Sequence, residues 1–341
     1  MKRIAFLAIV FALAVSVGGK WGSAGSASPA GNLLEVLPDG NVVAVIDFQK
    51  IAGSSLWATI NAQNKLKSEL DKAQSEISNL GVTLSDVRTV ALVFAGGSFN
   101  SPTVALSGGF EQNDLLARLR ASGKVKLTSE KYKDIDIYKA KSVPATLPSK
   151  ERSGANPARA GIAAAAKDET SFVFYEASTL VAGSLDAVRA SIDVKTGARP
   201  GLTQNIGLSD ALSQNPAAAI RFAVALTPAM TGGLKSGDLP VDLSTISLVF
   251  GTIDVGSGID LNATLRSDTA EHAKSISEKL NALLTMASGL LGSMADPKWA
   301  PIGEALKSVS IISADADVKI TGNLPMELLN SLISSSAKKG Q

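Results

Sequence analysis

The sequence predicts an α+β protein built from two related halves, each a mostly antiparallel sheet covered by helices. Three observations carry this. Short apolar runs and period-two alternations recur along the chain, as in Val42-Val43-Ala44-Val45-Ile46, and such runs between turn residues read as strands. Stripes of apolar residues stepping by three and four read as helices, most clearly Ala273, Ile276, Leu280, Leu283, Ala287, Leu290 and Met294. The order of these elements then repeats, with Leu92-Val93-Phe94 and Leu248-Val249-Phe250 each opening a glycine-containing hairpin at the same point. Self-similarity at so long a period points to a duplication rather than a solenoid.

Lys2 and Arg3 precede Ile4 to Gly19, a stretch without charge. A basic start followed by a short apolar run has the form of a secretory signal and is short of the roughly 20 residues that span a bilayer. Gly19, Ala24 and Ala27 are cleavage-compatible. The chain therefore divides into a signal peptide and start of linker at 1–27, a linker at 28–35, a first half at 36–195, a linker at 196–205, a second half at 206–336 and a tail at 337–341. After signal removal no transmembrane segment is expected.

In the first half, Pro38-Asp39-Gly40 turns the chain into the 42–46 strand. A helical stripe covers 55–80, from Leu56 through Ile60, Leu66 and Leu70 to Ile77, and Gly81 stands where a helix C-cap would. Strands follow at 87–95 and 103–110, then a helix at 113–120 and an alternating strand at 131–140. Residues 142–169 lose all period and read as a disordered loop. Strands at 171–183 and a helix at 185–194 close the half. The second half runs helix 206–213, strand 218–226, a glycine-rich loop 228–242, strands 245–254 and 259–266, and helix 269–294. Asp268 with Glu271 resembles a capping box at that helix's start. Strands near 307–313 and 315–322 and a helix at 326–335 end it. In the last strand, Ala316, Val318 and Ile320 alternate with Asp315, Asp317 and Lys319, giving one buried and one wet face.

Three stretches, LLEVLPDGNVVAVIDFQKI, VALVFAGG and KDIDIYKAK…LVAGSLDAVRASI, resemble an uncharacterised group of exported bacterial proteins in which a strand–helix–hairpin module recurs after a signal peptide. The resemblance implies an α+β fold and an envelope location. It implies no activity and transfers no site residues.

Composition excludes several chemistries. With no cysteine there is no disulfide, thiolate zinc site, iron–sulfur cluster, cysteine nucleophile or lipidated cysteine. Lys2, Arg3 and Lys20 leave with the signal, so 30 basic face 31 acidic side chains. That balance, without a basic run, provides no nucleic-acid footprint. His272 is the single histidine and lacks a second histidine for a metal, so it reads as a surface or boundary residue. Lys195-Thr196-Gly197, Ser209-Asp210-Ala211 and Ser335-x-x-Lys338 echo the serine penicillin-binding set, but in reversed order. Asp134/Asp136 and Asp315/Asp317 read as solvated faces of strands rather than a glycosidase pair. Gly96-Gly97, Gly108-Gly109 and Gly232-Gly233 match no phosphate-binding fingerprint. No catalytic, cofactor-binding or metal residue is assigned, and no cofactor is expected.

The sequence thus reads as a periplasmic or extracellular, non-enzymatic binding or interaction protein, its partner a protein or an apolar ligand. Two alternatives stand beside this. One is a carrier of an apolar, lipid-like ligand in the cell envelope, and the other is a hydrolase whose site carries no recognised motif. The 273–294 stripe is expected to pack on its own sheet, with Leu280 and Leu283 in the core.

Overall fold

The computed structural model describes residues 33–62, 82, 84–95, 102–123, 125–142, 169–176, 178–231, 241–293 and 300–337. The signal segment, most of the 55–80 helix beyond Ala62, the interior of the 142–169 loop, the Gly96-Gly97 and Gly232-Gly233 pairs and Lys338 lie outside the described residues.

The first elements in chain order are β1 (Val42–Asp47), α1 (Phe48–Ala52), α2 (Ser55–Ala62), β2 (Val87–Phe94), β3 (Thr103–Gly108), α3 (Gln112–Ala121), β4 (Val125–Tyr132) and β5 (Ile135–Ser142). Next come β6 (Thr170–Tyr175), β7 (Thr179–Gly183), α4 (Leu185–Lys195), α5 (Ile206–Ser213), β8 (Ile220–Ala225) and α6 (Pro228–Thr231). The chain ends with β9 (Ile246–Val255), β10 (Gly258–Ser267), α7 (Ala270–Ser293), α8 (Ala300–Lys307), β11 (Ser310–Ala314), β12 (Asp317–Pro325) and α9 (Met326–Ala337).

All twelve strands join one sheet in the order β11-β12-β10-β9-β8-β1-β2-β3-β7-β6-β5-β4. Every neighbouring pair is antiparallel. At the centre β1 meets β8, with Val42 opposite Val224 and Ile46 opposite Ile220. Both central strands are buried on two faces, which is why 42–46 is apolar throughout rather than alternating.

The two faces carry separate cores. On the first face, Ile46, Val90, Leu180, Phe172 and Ile220 pack under α1, α2 and α3, through Phe48, Ile51, Leu56, Trp57, Leu115 and Leu119. The same face continues over the β9–β12 end, where Val318, Ile246, Ala273 and Ile276 form a smaller cluster beneath α7. Met326 and Leu329 of α9 lean on the larger cluster. On the second face, Val43, Val45, Ala91, Val181 and Ala223 pack under α4 and α5, through Val188, Ile192, Leu208 and Leu212. The second face of β10 and β12 bears polar pairs instead: Asp260 opposite Asn323, Asn262 opposite Thr321, Thr264 opposite Lys319 and Arg266 opposite Asp317. The wet face expected of β12 is therefore real, and Val318 on its other side is fully buried.

Helix starts follow local capping chemistry. Asp47 accepts from the Lys50 amide at 3.1 Å, Ser184 from Ala187 at 3.2 Å and Asn205 from Leu208 at 3.3 Å. At α7 the cap is Thr269, whose hydroxyl accepts from the His272 amide at 3.1 Å. The expected Asp268–Glu271 box does not form, because the Asp268 carboxylate is engaged by the His272 ring.

Three further expectations are corrected. The alternating strand at 131–140 is a hairpin: Lys133 and Asp134 both take positive φ, 50° and 63°, and two such residues make the tight turn that matches strand twist. Residues 33–37, expected to fall largely in the linker, are core, with Leu33 and Leu37 fully buried. The linker expected at 196–205 is also packed: Leu202 is fully buried and Gly201 bridges Pro38. In the last two cases apolar anchors in stretches too short to show a period still find a core.

Candidate functional site

His272 sits in the first turn of α7 with its side chain about half exposed, its Nδ1 2.6 Å from Asp268 Oδ1. The hydrogen bond from the imidazole holds the Asp268 carboxyl below the usual carboxylate range. Among the described residues, that carboxylate is the ring's only side-chain partner, so no nucleophile is poised for general-base catalysis. The penicillin-binding fragments are not assembled as that chemistry requires. Lys195-Thr196-Gly197 is the C-terminal end of α4, where Thr196 caps the helix and Gly197 takes a φ of 73°, not a strand. Ser209 and Asp210 lie within α5. The aspartate pairs dissolve too. Asp134 and Asp315 are turn residues with positive φ, while Asp317 forms a bidentate pair with Arg266 at 2.9 and 3.0 Å. Among the described residues no group of three or more histidine, aspartate or glutamate side chains is placed to hold a metal.

Among the described residues, two hollows have polar side chains in their walls. The larger, about 590 Å³ and wide-mouthed, lies between α1–α2 and the β9–β10 hairpin and is lined by Gln49, Lys50, Ser54, Ser55, Asp254 and Gly256 among others. Three of its donors are used by the protein itself. Lys50 Nζ donates to the Ala217 carbonyl, Ser55 Oγ to Gly256 O at 2.8 Å and Ser54 Oγ to Ile51 O at 2.7 Å. The smaller hollow is bordered by Glu35, Tyr175 and Lys195. Burial pushes the Tyr175 phenol up to about 12, and its oxygen lies 3.1 Å from Ser191 Oγ, which donates to the Val36 carbonyl at 2.5 Å. This chain of neutral groups fastens residues 33–37 to α4 rather than presenting an acid or base.

A charged cluster fastens α4 to the β4–β5 hairpin. Glu130 pairs with Lys139 at 2.6 Å and Arg189 at 2.9 Å, and Asp193 pairs with Lys133 at 2.5 Å and accepts from Tyr132 Oη at 3.1 Å. The Lys139 ammonium in the first case, and the Lys133 ammonium in the second, holds the carboxyl below its ordinary range. Arg189 also lies over the Tyr132 ring, 5.4 Å from its centre. The ion pairs close within the chain, with Arg189 Nε left buried and without a hydrogen bond, and the cluster reads as structural.

The helical layer over the second half differs. In α7, Ala273 and Ile276 are buried, but Leu280, Leu283, Leu284, Ala287 and Leu291 are only half-buried. Met286 is 66% exposed and Leu290 59%. This corrects the expectation that Leu280 and Leu283 are core residues. The helix reaches the sheet in its first turns and then runs past its support, with Asn281 Nδ2 contacting Ile311 O at 3.0 Å on the last strand of the sheet. Helix α8 has no buried side chain, nor do residues 326–331 of α9. From Leu280 to Ser293 α7 carries no charge. An uncharged, partly uncovered apolar surface of this kind is what distinguishes interaction sites from ordinary scattered surface apolars. Sequence periodicity marks the stripe but not how much sheet lies beneath it. Among the described residues no helix is long and apolar enough to cross a membrane.

No protein-family model matches the chain, and no curated protein matches it. Among solved structures, crystal form III of TP0453 overlays with a TM-score of 0.46 at 11% identity, covering 89% of this chain and 97% of that one. Crystal form IV of TP0453 gives 0.43 at 12% identity over 88% and 96%, and crystal form I gives 0.40 at 13% over 92% and 99%. Likeness at these values assigns no activity.

Proposed function

We propose that the chain is an exported, non-enzymatic interaction protein built from two related halves, and that the α7–α9 layer is the surface it offers to an apolar partner. The observation that carries this is the burial gradient along the α7 stripe, from fully buried Ala273 through half-buried Leu280 and Leu283 to Leu290 at 59% exposed. A helix kept only for its own core would place its large apolar side chains on the sheet.

The two-halves reading draws support from the strand order. Outward from the β1·β8 junction, β1-β2-β3-β7-β6 on one side is matched step for step by β8-β9-β10-β12-β11 on the other. In each half a helix follows the third strand and another follows the last. The export reading rests on Lys2, Arg3 and the apolar run to Gly19. Expressed with its own N-terminus in a Gram-negative host, the protein should be recovered from the periplasm or medium, and N-terminal sequencing should begin after Gly19, Ala24 or Ala27. A full-length cytoplasmic product would overturn export.

A carrier of an apolar ligand is the second reading, favoured by the same half-buried leucines. For both readings the layer is tested by titrating the protein with Nile red. The expected result is a saturable blue shift that Met286→Lys with Leu290→Lys lowers several-fold, while the melting temperature moves little because both side chains are exposed. Unchanged dye binding in the double variant would remove the layer from consideration.

A further inference from the structure

We propose that β11 is the edge through which a second copy of this chain extends the sheet. The inference rests in part on the two-halves reading.

The sheet has two edges, β4 and β11. Exposed edge main chain recruits other strands unless charge, proline or cover prevents it. The β4 edge is guarded by Lys126, Glu130 and Lys131 within VKLTSEKY. The β11 edge reads Ser-Ile-Ile-Ser-Ala, with no charge and no proline, and exposes 55% of Ile312. Ile312 stands on the second face, where no helix among the described residues covers β10–β12.

The hydrogen-bond phase identifies which groups point outward. The Ser267 amide donates to Ala316 O at 2.7 Å, so the pairs in step with it, Leu265 with Val318 and Ala263 with Ile320, exchange the β10·β12 bonds. Alternation then turns Asp317, Lys319 and Thr321 toward β11, where they bond Ala314, Ile312 and Ser310. The amides and carbonyls of Ile311 and Ser313 face away from the sheet. Two contacts agree. Ser308 Oγ bonds both the carbonyl and the amide of Asn323, at 2.5 and 3.2 Å, and Asn281 Nδ2 reaches the outward Ile311 carbonyl at 3.0 Å, leaving that oxygen a second lone pair.

The first half shows this position filled. By strand order β6 corresponds to β11, and β6 is paired on its outer side by β5, with Tyr138 opposite Phe172 and Ala140 opposite Thr170. The second half has no counterpart to β5 and β4 among the described residues.

A second copy fits the vacant side better than a foreign peptide. Peptides that add to an edge are held by main-chain bonds and selected by side-chain pockets. Beside Ile312, among the described residues, β12 presents only Asp317, Lys319 and Thr321 on an open strand face. An antiparallel two-fold centred on Ile312 supplies what is missing. Ile311 of each copy faces Ser313 of the other, so the outward amides meet outward carbonyls reciprocally. Ile312 then faces itself across a non-hydrogen-bonded pair and is covered, with no like charges opposed.

The absence of cysteine makes the test clean. Cα atoms in such a pair lie about 4.5 Å apart, within disulfide range. Ile312→Cys should form a disulfide-linked dimer under mild oxidant at least ten times faster than Thr128→Cys, which places a thiol on the opposite edge. Wild-type protein should sediment as a concentration-dependent monomer–dimer mixture, and Ile312→Lys should weaken the dimer at least tenfold without loss of fold. Equal cross-linking at the two edges, a monomer at every concentration, or a dimer indifferent to Ile312→Lys would each overturn the proposal. Nile red binding by Ile312→Lys keeps the readings separate. Dye binding without dimers removes this inference alone, and dimers without dye binding remove the α7–α9 reading alone.

Discussion

Replacing Arg221 with alanine should lower the free energy of unfolding by about 3–5 kcal/mol, because the change breaks a buried charged contact and empties its space together. Arg221 lies on β8 opposite Val45, in the second-face core, and is 7% exposed. Its Nη1 donates to the Leu212 carbonyl at 3.0 Å, in the last turn of α5, where a cation also complements the helix dipole. Burial draws the guanidinium pKa down, and Asp47 works in the opposite direction. Truncation leaves the buried Leu212 carbonyl without this donor. Arg221→Met restores much of the volume without the charge and should recover part of the loss. Urea denaturation of the three proteins, compared at constant m, measures this. A loss under about 1 kcal/mol for the alanine variant would mean that α5 shifts to cover the gap.

Within α7, Ile276→Ala should cost about 2–5 kcal/mol, whereas Met286→Ala should stay within about half a kcal/mol. Both are large apolar residues of one helix, Ile276 within the stripe and Met286 beside it, and they differ in what lies beneath them. Ile276 is 3% exposed against Val318 and Ile246, and Met286 is 66% exposed. Thermal or chemical denaturation of the pair separates a helix packed along its length from one anchored only by its first turns. Equal costs would show that the later turns are buried in solution, and the proposed surface would disappear with them.

Much of this architecture was legible in the sequence. The α7 stripe gave 269–294 against an observed Ala270–Ser293, and the alternation near β12 gave its buried and wet faces. These are local signals, and local periodicity reports them well. The hairpin at Lys133-Asp134 was missed because two non-glycine residues take positive φ, a turn that glycine or asparagine normally announces. The junction of β1 with β8 was out of reach for a different reason: both strands are largely buried on two faces, and nothing local says which distant strand each will meet. The candidate surface was half legible. Spacing marks Leu280, Leu283 and Leu290 as one face, but exposure depends on where the sheet stops, which is a tertiary fact. Arg221 and Ile312 gave no signal, since a lone arginine in a strand and an isoleucine near a terminus are common in any chain.

The place of β1 at the middle of the sheet has a consequence for how the protein comes into being. During synthesis β1 emerges shortly before β2, which can join one side of it early. Its other side belongs to β8, which appears only after the entire first half has been made. Until then, the five-residue apolar run from Val42 to Ile46 waits with one ladder unmade. Long-range pairing of this kind is slow, and an open apolar edge is where nascent chains stick to one another. The strand that most firmly unites the finished molecule is thus its point of greatest vulnerability while it is incomplete.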